Sequence, residues 1–267
     1  MSFVLVDKPR PHVTVVTLNR PERLNAMAFD VLIPFAEALR EVGRDNDTRV
    51  VIITGAGEGF CSGADLQSAG RIPGIEGLTG PTIAQRAGGL LHDVILALYE
   101  LPQPVIGAIN GAAIGGGMCL AAATDLRVAS TGAYFRAAGI NNGLTAAELG
   151  LSFILPRAIG STRSFEIMLT GRDVDAHEAA RIGLVSDVVE PDELLPRCFA
   201  MAERMIGFSR VGVELTKKMV WAGLEAGSFR SHMSHEMNAQ LLVRMTTQNF
   251  EEAIRARSEN RKPLFLD

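Results

Sequence analysis

Apolar and polar positions alternate along residues 2–6 and 12–18, which predicts two strands joined by a proline-containing turn. After "RPERLNAM" (residues 20–27) the period lengthens, and Phe29, Leu32, Ile33, Ala36 and Leu39 predict a helix over 27–42. "RVVIITGAG" is a continuous apolar run, the pattern of a strand buried on both faces, and it enters a glycine-rich loop. Residues 67–85, with Gly70, Gly74, Gly77, Gly80, Pro73 and Pro81, read as loop. A helix over 86–100 precedes a second buried strand in "LPQPVIGAING". The triplet Gly115–Gly117 then opens into a helix of small and apolar residues. "LRVAS" is a short strand, and "AYFRAAGINNGL" an extended segment and turn. A helix is predicted near 146–155, stopped or kinked by Pro156. Further helices fit 161–169, 175–181, 191–207, 210–226, 232–245 and 249–257. Strands alternate with longer helical segments up to about residue 190, and helices follow. The prediction is an α/β fold of βαβ type with a helical C-terminal region.

Composition narrows the function. A chain of 267 residues that is 47% hydrophobic can bury one sizeable core. Its 26 basic and 30 acidic side chains leave a formal charge of −4 with no basic block, so no nucleic-acid partner is expected. Cys61, Cys119 and Cys198 have neither metal-ligand nor disulfide spacing, which suits a reducing, cytoplasmic setting. Neither a secretory segment nor a presequence is recognisable at the start. No apolar run approaches the length of a membrane span.

Two loops offer related chemistry, "CSGADL" (61–66) and "IGGGM" (114–118), each following a buried strand. If those strands are parallel, the backbone N–H groups of Ala64 and Gly116 converge on one oxygen. Such a pair suits a reaction that develops negative charge on a carbonyl oxygen, where one donor contributes roughly 3–4 kcal/mol. Either loop alone reads first as a tight turn. Neither is a Walker A sequence, and "GAGEGF" is a poor dinucleotide fingerprint. Cys119 is either a reactive thiol near a helix start or a buried, inert one. The nearby carboxylate is Glu148, with three readings: a base, the distal half of a Thr145–Glu148 capping box, or an ordinary polar residue. Asp65 reads as a loop-fixing residue, Asp175 with Glu178 as a cap, and Asp125 as a turn residue. Arg136 reads either as pocket-lining or as a salt-bridge partner. His12, His92 and His177 belong to no recognisable constellation, and His232 with His235 lacks a partner carboxylate motif, so no metal is expected.

As a set, "RPERLNAM", "FCSGADL" (60–66), "AAIGGGMCLAAATDLRVA" (112–129), "TGRDVDAHEAARIGLVSDVV" (170–189) and "RKPLFLD" resemble the enoyl-CoA hydratase/isomerase, or crotonase, family, nearly chain-long and in order. The resemblance implies a crotonase-like spiral β-β-α core with the acyl-CoA pocket over 1–190. It also implies a helical region over 191–267 for pocket cover and oligomerisation, in a homotrimer or dimer of trimers. The implied substrate is an acyl-CoA thioester, with no permanently bound cofactor, since coenzyme A arrives as part of the substrate. Ala64 and Gly116 then supply the oxyanion hole. Arg23, Ala26, Ala64, Asp65, Leu66 and Gly116 fall at substrate- or CoA-binding positions. Hydratases of the family carry glutamates at the positions of Cys119 and Gly139, and here both are missing. Isomerases of the family place a catalytic glutamate twelve residues before the position of Gly160, where Glu148 stands. The implied reaction is enoyl-CoA double-bond isomerisation through a stabilised enolate, with Glu148 as the base. An enoyl-CoA hydratase with atypical residues and an acyl-CoA-binding protein with weak or no catalysis are the alternatives.

Overall fold

Through the middle of the chain the strands are laid down in pairs, one member for each of two sheets. The computed structural model describes residues 2–267. Strands β1 (Val4–Arg10) and β2 (Val13–Leu18) form an antiparallel hairpin, followed by helix α1 (Phe29–Arg44). Strands β3 (Val50–Gly55) and β4 (Gly59–Cys61) lead to α2 (Gly80–Tyr99), and β5 (Val105–Ile109) and β6 (Ala112–Ile114) lead to α3 (Gly116–Ala122). Strands β7 (Leu126–Ser130) and β8 (Tyr134–Arg136) lead to α4 (Leu151–Ile159) and α5 (Ser161–Thr170). Then come β9 (Val174–Asp175), α6 (Ala176–Arg181) and β10 (Asp187–Val189). Helices α7 (Leu194–Ile206), α8 (Arg210–Glu225), α9 (Phe229–Thr246) and α10 (Asn249–Ser258) end the chain.

The six-stranded sheet has the order β1-β2-β3-β5-β7-β10 and the four-stranded sheet the order β4-β6-β8-β9, so in the pairs β3/β4, β5/β6 and β7/β8 the first strand joins the large sheet and the second the small one. From β2 to β10 every neighbour in the large sheet is parallel, as are β4-β6 and β6-β8. Successive β-β-α turns therefore wind into a spiral. Because β4 and β6 are parallel neighbours, the loops leaving Cys61 and Ile114 emerge side by side. That adjacency builds the site.

Burial explains the register. Every residue of β3 is buried, and its side chains alternate between two apolar clusters. Val51 and Ile53 pack with Val16 and Leu18 of β2 and Phe35 and Leu39 of α1. Val50 and Ile52 face the other way, with Leu194, Cys198 and Ala202 of α7. Burying each such aliphatic side chain contributes about 1.5–3 kcal/mol, and a one-residue slip would exchange the two sets. Edge strand β1 is buried only at Val4 and carries Lys8 and Arg10, charges that discourage a further strand from pairing there.

Helices α2, α9 and α4 depart from their expected bounds, and strand β1 runs to Arg10 rather than ending near residue 6. Helix α2 starts at Gly80 rather than near residue 86, because Pro81 in its first turn has a backbone angle already suited to a helix. Helix α9 begins at Phe229, before the expected residue 232. The helix expected over 146–155 begins at Leu151 and runs through Pro156 to Ile159. Leu149 (φ 47°) and Gly150 (φ 81°) are left-handed, so no helix can include them.

Candidate active site

A cavity of about 350 Å³ lies where the two glycine loops meet. Met27, Leu91, Ala147 and Leu149 make most of its wall apolar, and Ala64, Gly116, Glu148 and His92 complete it. Ala64 forms a parallel bridge with Met27. The Met27 N–H donates to the Gly63 carbonyl (2.7 Å), and the Asp65 N–H donates to the Met27 carbonyl (3.0 Å). Such a bridge uses the groups flanking Ala64 and turns Ala64's own N–H to the opposite side. Gly116 is the first residue of α3, where an N–H has no acceptor within its own helix. The loops touch closely: a Cβ on Gly63 would stand 3.4 Å from the Gly116 nitrogen, and one on Gly117 only 2.0 Å from the Cys61 carbonyl oxygen. Only glycine at 117 allows that approach.

Asp65 holds the first loop in shape. Its side chain is 3% exposed and pairs with Arg20 (2.9 Å) and Arg23 (3.1 Å). It accepts the N–H groups of Gln67 (2.9 Å) and Ser68 (3.1 Å). The Gln67 N–H does most to lower its carboxyl below the usual carboxylate range, with Ser68, Arg23 and Arg20 adding to the effect against desolvation. Arg23 and Asp65 are thus engaged with each other, outside the cavity wall. Ala26 is buried nearby, and Leu66 stands exposed beside the loop.

Glu148 is half-buried in the cavity wall, and its carboxylate makes neither hydrogen bond nor ion pair with any described residue. Burial raises its pKa above the ordinary carboxyl value. Its Oε1 lies 3.6 Å from where a Cβ on Gly115 would sit, which puts the carboxylate against the glycine triplet. No capping box forms. Thr145 Oγ1 instead accepts the Ala147 N–H (3.0 Å), and α4 starts at Leu151, beyond Glu148.

The two positions without glutamate both touch the Glu148 loop. The buried Cys119 thiol donates to the Glu148 carbonyl at 3.6 Å, and burial pushes its pKa well above the ordinary thiol range. In this structure it packs in the core and holds the backbone at Glu148. At Gly139 a Cβ would stand 2.0 Å from the Thr145 carbonyl oxygen, so the 144–148 segment occupies the space any side chain would need.

His92, on α2, enters the cavity from a segment distant in sequence, and no spacing rule links it to either loop. Asp125 is structural: it accepts the Val105 N–H (2.7 Å) and the Trp221 indole N–H (2.7 Å), and pairs with Lys217 (2.9 Å). A larger cavity of about 1110 Å³ lies between α8, α9 and the core, but its Asp125 is fully engaged and neither glycine loop opens into it. Asp175 caps α6 by accepting the Glu178 N–H (2.8 Å), and Arg136 pairs with Asp173. His232 faces Glu236 at 3.4 Å. Among the described residues no cluster of three His, Cys, Asp or Glu is placed to hold a metal. Among them, too, no helix is long and apolar enough to cross a membrane.

Comparison with known proteins gives a consistent picture. The family model described as enoyl-CoA hydratase/isomerase matches residues 10–267. The chain is 63% identical to the "Probable enoyl-CoA hydratase echA12" of Mycobacterium bovis, over all of this chain and 94% of that one. Its fold superimposes on the crystal structure of a probable enoyl-CoA hydratase/isomerase from Mycobacterium abscessus with a TM-score of 0.95 and 63% identity, covering 99% of each chain. It also matches a monofunctional enoyl-CoA isomerase from Mycobacterium smegmatis, with a TM-score of 0.74 and 57% identity, over 87% of this chain and 99% of that one.

Proposed function

The chain belongs to the enoyl-CoA hydratase/isomerase family, and from that premise we propose that it moves the double bond of a 3-enoyl-CoA to the 2-position with Glu148 as the base. The thioester oxygen accepts hydrogen bonds from the Ala64 and Gly116 N–H groups. The Glu148 carboxylate removes a proton from C2, and the C–H electron pair spreads into an enolate whose charge rests largely on that oxygen. Protonated Glu148 then delivers the proton to C4, and the double bond re-forms between C2 and C3. One carboxylate performs both transfers, and no water adds. A pKa raised by burial strengthens the base, and positioned proton transfer of this kind contributes about 10²–10⁴-fold. Arg23, Ala26, Asp65 and Leu66 form the rim facing the coenzyme A portion. The 191–267 region covers the pocket and joins subunits into a trimer or a pair of trimers, in a cytoplasmic enzyme.

One observation carries this reading: a partnerless, half-buried carboxylate shares a cavity with two glycine loops that present free N–H groups. The isomerase identity of the Mycobacterium smegmatis neighbour supports it. The hydratase names of other relatives favour water addition, but here neither Cys119 nor Gly139 offers a second carboxylate. The test is a panel of 2-enoyl, 3-enoyl and dienoyl-CoA substrates with products identified by mass and position. Conversion of 3-enoyl to 2-enoyl-CoA with slow hydration is expected. Fast hydration would establish the hydratase reading, and binding without turnover of any substrate would leave an acyl-CoA-binding protein.

A further inference from the structure

The isomerase reading assigns three of the four polar contributors to the cavity and leaves His92 unassigned. Its imidazole is in no hydrogen bond or ion pair with a described residue, and the residue is exposed to solvent. Glu148 is also partnerless, but half-buried. The remaining wall, Met27, Leu91, Ala147 and Leu149, has no side chain able to carry a proton. His92 is therefore the one side chain of the cavity wall, besides Glu148 itself, with an atom able to accept a proton and pass it on.

We propose that His92 is the proton outlet of this cavity, exchanging the proton held by Glu148 with solvent during turnover. The inference rests on Glu148 being the base. After abstraction from C2 the proton sits on the Glu148 carboxyl and has two destinations. It can pass to C4, which completes isomerisation. Alternatively, the carboxyl gives it to a free ring nitrogen of neutral His92, directly or through one water. The imidazole becomes imidazolium, and Glu148 returns to carboxylate. The imidazolium releases that proton to bulk water, and a solvent proton returns by the same route. Charge and atoms balance at each step, and no other reactant is needed. A cavity of about 350 Å³ has ample room for a bridging water, which needs only about 10–15 Å³.

The test is turnover of a 3-enoyl-CoA in deuterium oxide, with the label at C4 of the product and at C2 of recovered substrate counted per isomerisation event. The wild-type enzyme, His92→Gln and His92→Leu are compared. Glutamine keeps hydrogen bonding but cannot carry a proton. Both variants should lower deuterium incorporation per turnover at least about threefold and retain more of the original substrate hydrogen. An unchanged label ratio in both would overturn the proposal. A loss in H92L with full retention in H92Q would also overturn it, since hydrogen bonding alone would then account for the exchange. Absence of wild-type isomerisation would instead reject the Glu148 reading on which the proposal stands.

Discussion

Glu148 holds a charge where the fold makes charge expensive, with no partner among the described residues to offset it. Its folded-state pKa is raised, so the native state binds the proton more tightly than the unfolded chain. Stability therefore falls as pH rises from the ordinary value, 4.5, through the raised one. Glu148→Gln should accordingly match or exceed the wild-type melting temperature at pH 7, and the difference should vanish at pH values where the wild-type carboxyl is protonated in both states. A lower melting temperature for E148Q at pH 7 would mean the carboxylate has a stabilising role. The same shift sets the pH profile: the base must be ionised, so kcat/KM should fall with acidification through a pKa above the normal carboxyl range. Cys119 gives the complementary case. Its pKa is raised well above the ordinary thiol range, chiefly by burial, so the native thiol should resist alkylation by iodoacetamide at pH 8. Cys119→Ala should cost about 1–2 kcal/mol in denaturant unfolding through lost packing and the lost bond to the Glu148 carbonyl. Isomerisation should stay within several-fold.

At the scale of elements, the proposed chemistry depends on one segment. Residues 144–148 press on Gly139, and they carry Glu148. Gly139→Ala would place a Cβ 2.0 Å from backbone oxygen, so the segment must shift. We expect a destabilisation on the order of 1–3 kcal/mol together with a loss of isomerisation larger than that of C119A. Wild-type activity and stability in G139A would show that the segment moves freely. Little of this is legible in the sequence. Long apolar strands such as β3 and β5, and amphipathic helices such as α1, announce themselves by period. Strands β4, β6 and β8, with three residues each, are too short to show one, yet their parallel pairing brings the two glycine loops together. The Thr145–Glu148 spacing mimics a helix start. The left-handed Leu149 and Gly150 that delay the helix look like ordinary residues. His92 reaches the cavity by tertiary packing alone. Glu148, Ala64 and Gly116, which line one cavity, are legible as candidates because each lies within a recognisable local pattern.

For the whole molecule, α8 is tied to the sheet through one buried cluster. Lys217 and Asp125 pair with side chains 8% and 15% exposed, while Trp221 and the Val105 N–H also bond the Asp125 carboxylate. Asp125→Ala strands the Lys217 charge and two further donors, and should cost about 3–5 kcal/mol in denaturant unfolding. Phe165, Leu169, Phe229 and Met245 are exposed apolar side chains that a lone subunit leaves in water. Sedimentation equilibrium at micromolar concentration should therefore report a trimer or its multiple, and a stable monomer would contradict the assembly. The central claim is narrower than either: the reaction runs on one carboxylate held against two glycine loops. Its most direct test is the rate at which purified E148Q converts a 3-enoyl-CoA to the 2-enoyl isomer, measured beside thioester binding. Binding should stay close to wild type while isomerisation, with C2 proton exchange, falls at least about 100-fold; an E148Q enzyme that keeps both rates would show that Glu148 is not the base.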